Sequence, residues 1–189
     1  MERVAGLVVA GLWLLWLGYW WWSSRDTKQT MRSETVRSRM IYVAPLLAAG
    51  YLLSLRRLPF SGTSVQLFEP GAAALLAEVA LVAGGLGFAV WARRHLGRNW
   101  SGTVTTKTDH ELVRTGPYRF VRHPIYTGIV LAVVGMAIGT GTWTGGCAVV
   151  LVTAAFLRKL RLEEQFMTDQ FGEQYERYRQ QVPALFPGL

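Results

Sequence analysis

The sequence predicts an all-α integral membrane protein of about five transmembrane helices, and three observations carry that reading. Charged residues make up 17% of the chain against 51% hydrophobic, where an ordinary soluble domain is about a quarter charged. The apolar residues gather into blocks near the ~20 residues that cross a bilayer as a helix. The basic residues fall between those blocks rather than within them. At 189 residues the chain holds a single membrane domain, 1–189, with spans one and two in 1–57 and the remaining core in 71–189.

Span one is expected over 4–22. The block is too long for the apolar core of a signal peptide, and it ends in Tyr19, Trp20, Trp21 and Trp22, an interfacial aromatic anchor. It is therefore expected to be a retained span. Span two, 40–55, is short and contains Pro45, which predicts a kink or a tilt. Arg56, Arg57, Pro59 and Gly62 mark a loop, followed by an amphipathic stretch near 65–68. Span three is expected over 71–92, and a long polar connection occupies 93–122.

Spans four and five, 124–139 and 142–157, are separated only by Thr140 and Gly141, so they must form a tight antiparallel hairpin. Gly135 and Gly139, and then Gly141 and Gly145, stand four apart, a spacing that lets helix backbones approach closely. The tail after Arg158 is polar and predicts a cytosolic helix through Tyr178 that stops near Pro183.

Net charge is +8. On a soluble chain this would point to nucleic acid; among apolar blocks it points to anionic headgroups and to orientation. Of the 20 Lys and Arg residues, all but Arg3, Arg56 and Arg57 lie in 23–39, 93–122 and the tail. Five spans put those three segments on one face, which the positive-inside rule makes cytoplasmic. The N-terminus is then outside and the C-terminus inside, in the inner membrane of a bacterium or the endoplasmic reticulum of a eukaryote. The expected partners are membrane lipids and a lipophilic substrate, with no nucleic acid and no obligate protein partner in view.

Chemistry-bearing residues concentrate after span three. His95, His110 and His123 are the only histidines, and their spacing gives no metal-binding pair on one helix face. The single cysteine, Cys147, allows neither an internal disulfide nor a zinc-type cluster. No metal is expected. In the run from Gly116 to Gly128, Gly116-Pro117 signals a turn and Pro124 suits the first turn of a helix. The N–H groups of Ile125 and Tyr126 would then face outward at a helix N-terminus, a place that binds carboxylates. Read blandly, Arg119, Arg122 and His123 simply anchor span four at the interface, and composition leaves both readings open.

The cluster Arg158, Lys159, Arg161, Glu163 and Glu164 leaves the membrane with span five. The hairpin should bring it beside the start of span four. Its ordinary reading is a solvated juxtamembrane helix with ion pairs. Glu78 sits inside span three, far from the charged face, where a hydrogen bond to a neighbouring helix or a protonated carboxyl is the expected state.

Several motifs now stand in order. They are Gly116-Pro117-Tyr118, then Arg122-His123-Pro124 with Tyr126 and Gly128, then Glu163-Glu164, then Phe171-Gly172 with Tyr175 and Tyr178, then Val182-Pro183. Together they resemble the isoprenylcysteine carboxyl methyltransferase family, which is itself related to membrane phospholipid methyltransferases. The likeness covers about 91–187 and includes Leu96, Gly97, Asn99, Trp100 and Ser101 as a connector. It implies S-adenosylmethionine as cofactor and a lipophilic or prenylated-cysteine acceptor reached from the bilayer. The implied cofactor contacts are His110, Glu111, Leu112, Val113, Tyr118, His123, Pro124, Ile125, Tyr126 and Glu163. The implied catalytic group is Lys159, Glu163 and Glu164. Where the family has an acceptor-binding arginine ahead of the Glu-Glu pair, this chain has Lys159. An arginine that many relatives carry near position 89 is here Ala89, with Arg93 or Arg94 as the candidate substitute.

Two other readings compete. A membrane sterol or enone reductase would use NADPH on a similar helical scaffold. A non-catalytic lipid-binding protein would use the 158–164 cluster as an anionic-lipid anchor.

Overall fold

The computed structural model describes residues 1–25, 30–55, 65–100, 105–107 and 111–186. It contains six α-helices: α1 (Glu2–Ser23), α2 (Val36–Ser54), α3 (Ala72–Leu96), α4 (Pro124–Thr140), α5 (Trp143–Phe171) and α6 (Glu173–Gln181). Two short strands, β1 (Thr30–Ser33) and β2 (Thr105–Lys107), pair antiparallel with Thr30 opposite Lys107 and Ser33 opposite Thr105. The sequence reading placed no strands here, because segments of three or four residues carry too few positions to show an alternating pattern. The expected loop at Arg56, Arg57, Pro59 and Gly62 lies outside the described residues.

Several helix boundaries have a local cause. Thr35 caps α2, its hydroxyl accepting the N–H of Ser38. α3 ends on Arg93 and Arg94, whose positive charge suits a helix C-terminus, and the chain turns away at Gly97 with φ of 56°. Pro124 starts α4. The helix stops at Gly141, which takes the left-handed conformation (φ 60°) that side chains disfavour. Thr142 then caps α5 by accepting the N–H of Gly145. The predicted tight hairpin is therefore present, formed by α4 and α5.

Three expectations change in detail. α5 has 29 residues, about 44 Å at 1.5 Å per residue, so it continues well beyond a ~30 Å hydrocarbon layer. Gly172 (φ 52°) then separates it from α6, where a single tail helix was expected. The stretch at 65–68 is extended: the Leu67 and Phe68 N–H groups donate to the Gly141 carbonyl and Trp143 N–H donates to Val65, so it straps the α4–α5 turn.

The glycines act mainly between α3 and α4, the most extensive helix pair. A Cβ on Gly128 would lie 2.3 Å from the Gly85 carbonyl oxygen, and one on Gly85 equally close to the Gly128 carbonyl. Backbone thus meets backbone at this crossing. Farther along α4, Gly139 leaves the space filled by the buried Glu78 carboxyl, and Gly135 faces Leu81. Only Gly145 serves the α4–α5 contact, against Ala137. α1 lies on α3, and α2 lies on α5.

Among the described residues, two helices, α1 and α3 with its short 3-10 extension, are long and apolar enough to cross a membrane; α4 is apolar but shorter. α1 turns Leu7, Leu14 and Leu15 outward, Leu15 being 74% exposed. An outer surface of that kind suits lipid better than water.

Gly128→Ala is expected to destabilise the protein by about 1–3 kcal/mol through overpacking against α3. Gly87→Ala, where a Cβ meets nothing within 4 Å, is the control and should raise stability by about 0.5–1 kcal/mol, the helix-propensity gain alone. Denaturation of the two variants in detergent measures the contrast, and equal stabilities would contradict the backbone contact.

Candidate active site

A cavity of about 380 Å³ lies where the start of α4 meets the lower half of α5. α4 brings His123 and Tyr126 to it because Pro124 fixes the first turn and the chain arrives through the 3-10 turn Gly116–Arg119. α5 brings Lys159 and Glu163, one turn apart on the same face. The Tyr126 hydroxyl donates to Glu163 Oε1 at 2.5 Å. Lys159 Nζ lies 3.9 Å from the same oxygen, and His123 Nδ1 lies 3.5 Å from Glu163 Oε2.

Glu164 points elsewhere. Its Oε1 accepts from Arg122 Nε at 2.9 Å, Arg122 Nη2 at 2.7 Å and His123 Nε2 at 3.1 Å. His123 thus stands between two consecutive carboxylates with a ring nitrogen toward each, an arrangement both nitrogens satisfy only as donors. Burial opposes charge on His123, but the hydrogen bonds to Glu163 and Glu164 outweigh it and raise its pKa above the ordinary 6.5. Burial also opposes ionisation of both glutamates. The His123 bonds, helped by Lys159 at Glu163 and by Arg122 at Glu164, outweigh it and hold both below the ordinary 4.5.

The C-terminal segment closes this corner. Arg122 Nη1 donates to the Arg179 carbonyl at 3.0 Å and also to Val182, while the N–H groups of Arg122 and His123 donate to Pro183 and Ala184. Thr127 Oγ1 donates to Leu185 at 2.6 Å. Tyr178 donates to the Tyr118 carbonyl at 2.6 Å. Burial raises the pKa of Tyr118, Tyr175 and Tyr178, so these phenols stay neutral donors.

Of the residues singled out from the sequence, Glu111, Leu112, Val113, Tyr118, His123, Pro124, Ile125, Tyr126, Lys159 and Glu163 all line the cavity. Glu164 does not; it anchors Arg122 and His123 from behind. His110 lies outside the described residues. Among the described hydrogen bonds, the first N–H of α4 to close a turn is that of Thr127, on His123 at 3.1 Å. The N–H groups of Ile125 and Tyr126 precede it at the cavity mouth, as the first turn of a helix requires. Ala89 is fully buried beside Gly128, which leaves no room for a longer side chain there. Arg93 is buried too and donates to the Gly97 carbonyl at 2.7 Å and to the Ser23 carbonyl, tying α3 to the end of α1.

The sequence reading missed two groups of lining residues. Trp16 and Trp20 of α1 and Leu46 of α2 complete the apolar wall, but their letters are those of any lipid-facing helix. Phe166, Met167 and Gln170 also line it. They stand three, four and seven residues after Glu163, so helical spacing could have found them.

Residues 73–174, more than half of the chain, match the phospholipid methyltransferase family. The chain belongs to that family. This family member is 34% identical over 94 residues to the protein-S-isoprenylcysteine O-methyltransferase of Schizosaccharomyces pombe, covering 48% of this chain and 40% of that protein. It is 31% identical over 94 residues to protein-S-isoprenylcysteine O-methyltransferase B of Arabidopsis thaliana, covering 48% of each. It is also 37% identical over 71 residues to methanethiol S-methyltransferase 1 of Bradyrhizobium diazoefficiens, 37% of this chain and 24% of that protein. In each case the chain covers less than half of the relative's length. These relatives bear out the resemblance read from the motifs, and the family match leaves α1 and α2 outside its bounds.

The His123 cluster sets a pH signature. The raised His123 pKa gives stability that is complete below the unfolded value of 6.5 and is lost as pH rises through the folded value. The lowered pKa of Glu164 gives stability present above 4.5 and lost as pH falls. The melting-temperature difference between wild type and His123→Gln is therefore expected to be largest between pH 4.5 and 6.5. It should shrink on the alkaline side. A difference that grows with alkalinity would contradict the charged histidine.

Proposed function

We propose that this protein transfers a methyl group from S-adenosylmethionine to the anionic head of a lipophilic acceptor at the cytosolic membrane face. The carboxylate of an isoprenylcysteine-like molecule is the acceptor the relatives' names favour, and the name of the methanethiol relative extends the class to thiolates. The reading rests on one observation above others: Tyr126 and Glu163, from two different helices, meet at 2.5 Å in the wall of a single cavity.

The residues present fit that cofactor. Glu163, held ionised by His123 and oriented by Tyr126, suits an ammonium group. The N–H groups of Ile125 and Tyr126 at the start of α4 suit a carboxylate. Leu112, Val113 and Trp100 offer an apolar wall for a planar base. When bound, S-adenosylmethionine supplies an electrophilic methyl carried on a sulfonium.

The chain's own part is alignment and exclusion of water. Lys159 presents a cation to the cavity one turn before Glu163, where it can pair with an acceptor carboxylate or thiolate. An ionised acceptor is already a nucleophile, so Glu163 need not serve as a base. Glu164 acts through His123 and Arg122, keeping the α4 start fixed against the tail. The apolar side, with Leu46, Ile129 and Phe156, suits the acceptor's hydrocarbon. In this reading the five-span arrangement holds, with the N-terminus outside and the C-terminus cytoplasmic, so the cavity opens where a soluble cofactor meets a bilayer-resident acceptor.

Calorimetry on the purified protein tests the proposal directly. S-adenosylhomocysteine is expected to bind and NADPH is not. Tyr126→Phe, which removes only the hydroxyl, should weaken S-adenosylhomocysteine about tenfold, the loss of one hydrogen bond to a charged group. Glu163→Ala should abolish binding while the circular dichroism spectrum stays helical. Undiminished binding in both variants would remove this site from consideration.

A further inference from the structure

The group that faces the acceptor in the proposed function, Lys159, is held in part by a residue that the family match does not include. Its Nζ lies 5.3 Å from the ring centroid of Tyr126 and 5.3 Å from that of Tyr42, inside the ~6 Å range in which an ammonium is attracted to an aromatic face. Tyr126 belongs to α4 within the matched region. Tyr42 belongs to α2, outside residues 73–174. Tyr42 is only 3% exposed and its hydroxyl donates to the Glu34 carboxylate, which stands just before the Thr35 cap of α2. The Tyr126 ring is fixed in turn by Glu163 and by stacking on Phe156, with centroids 4.6 Å apart and planes 13° from parallel.

Lysine is a compact charge on a flexible four-carbon stem, with no fork to fix its direction. An arginine at this place could orient itself through two parallel hydrogen bonds. A lysine must be aimed by its surroundings. Attraction to Glu163 alone, at 3.9 Å, would draw it toward the cofactor side of the cavity. The ring faces of Tyr42 and Tyr126 add attractions from α2 and α4 to an ammonium carried by α5.

We infer that Tyr42, oriented by Glu34, is a positioning residue: with Tyr126 it clamps the Lys159 ammonium so that it faces an anionic acceptor. The inference rests on the proposed methyl transfer for its consequence, but its geometry can be tested without activity. α2 thereby contributes to acceptor recognition, in addition to shaping the apolar wall.

The chain has only Lys28, Lys107 and Lys159 as lysines. Protein labelled with carbon-13 at the lysine ε position therefore gives few signals, and Lys159→Arg assigns the relevant one. Ring currents from two tyrosines should shift the Lys159 signal upfield in wild type. Tyr42→Leu should return it most of the way to the free-lysine position, and Tyr42→Phe should keep it shifted. If Tyr42→Leu does not fold, Glu34→Gln, which loosens the ring without removing it, should show a reduced shift.

Kinetics with N-acetyl-S-farnesylcysteine as probe acceptor should show KM raised about tenfold in Tyr42→Leu, a smaller change in kcat, and near-wild-type KM in Tyr42→Phe. S-adenosylhomocysteine affinity should stay within about twofold, and in a Lys159→Met background Tyr42→Leu should have no further effect. An unshifted Lys159 signal in wild type, or effects of the two substitutions that multiply independently, would overturn the clamp. A shifted signal that Tyr42→Leu abolishes, in a protein that neither binds S-adenosylhomocysteine nor methylates the probe, would uphold the clamp and defeat the proposed reaction.

Discussion

The imidazole of His123, set between Glu163 and Glu164, is the interaction on which the lower half of the molecule depends. Two carboxylates adjacent in sequence leave α5 with like charge in a buried corner. Arg122, His123 and Lys159 offset that charge from two elements, the turn that opens α4 and the body of α5. Such a cluster is weak evidence for stability, since each ion gives up hydration to enter it. Breaking it is another matter, because removing one partner of a buried pair costs about 3–5 kcal/mol. The cluster therefore acts as a register device: α4 and α5 can cross at this end in one way only. The tail segment 182–185 then fits over the α4 start through main-chain hydrogen bonds that depend on the same placement.

The opposite constraint operates at the α3–α4 crossing. There the contact contains no side chain at its closest point, only the backbones of Gly85 and Gly128. Close approach of this kind fixes the axial position of α4 by sterics, while the charged cluster fixes it by electrostatics. Gly128 stands two residues after Tyr126 and directly before Ile129, both of which line the cavity. A shift of α4 along α3 would move the Tyr126 hydroxyl off Glu163, so the apolar crossing and the polar site are mechanically coupled.

Much of this was legible in the sequence, and the failures have physical reasons. The hairpin followed from the two-residue gap between apolar blocks. That the 158–164 cluster lies beside the start of α4 followed from the hairpin, while Tyr126 and Glu163 as partners in one site followed from the resemblance of the motifs. Glycines at 135 and 139 announced a close contact but not its partner, because spacing along one helix says nothing about which neighbour fills the groove. Glu164 looked equivalent to Glu163, yet adjacent residues on a helix point about 100° apart, so one faces the cavity and the other the tail. Trp16, Trp20 and Leu46 were invisible as site residues, since lipid and a lipophilic ligand select the same side chains. The β1–β2 ladder was too short to leave a pattern.

These observations divide the molecule by task. The matched segment, residues 73–174, carries the groups suited to a charged cofactor: the α4 N-terminus, Tyr126, Glu163 and the residues that hold them. The helices that precede it, α1 and α2, supply apolar wall and the Tyr42 ring. A methyl donor presents the same charges whatever the acceptor, so its site can remain constant across enzymes. The acceptor is what must differ among proteins whose names point to a prenylated cysteine and to methanethiol. Discrimination between such acceptors requires contacts that vary, and a pocket distinguishes hydrocarbon shapes by only about 1–3 kcal/mol per methylene. That scale is within reach of exchanging one tryptophan or leucine on α1 or α2. Specificity in this architecture is therefore expected to reside in the helices with least resemblance to the family, and the cation at position 159, aimed from α2, is where the two parts of the chain meet.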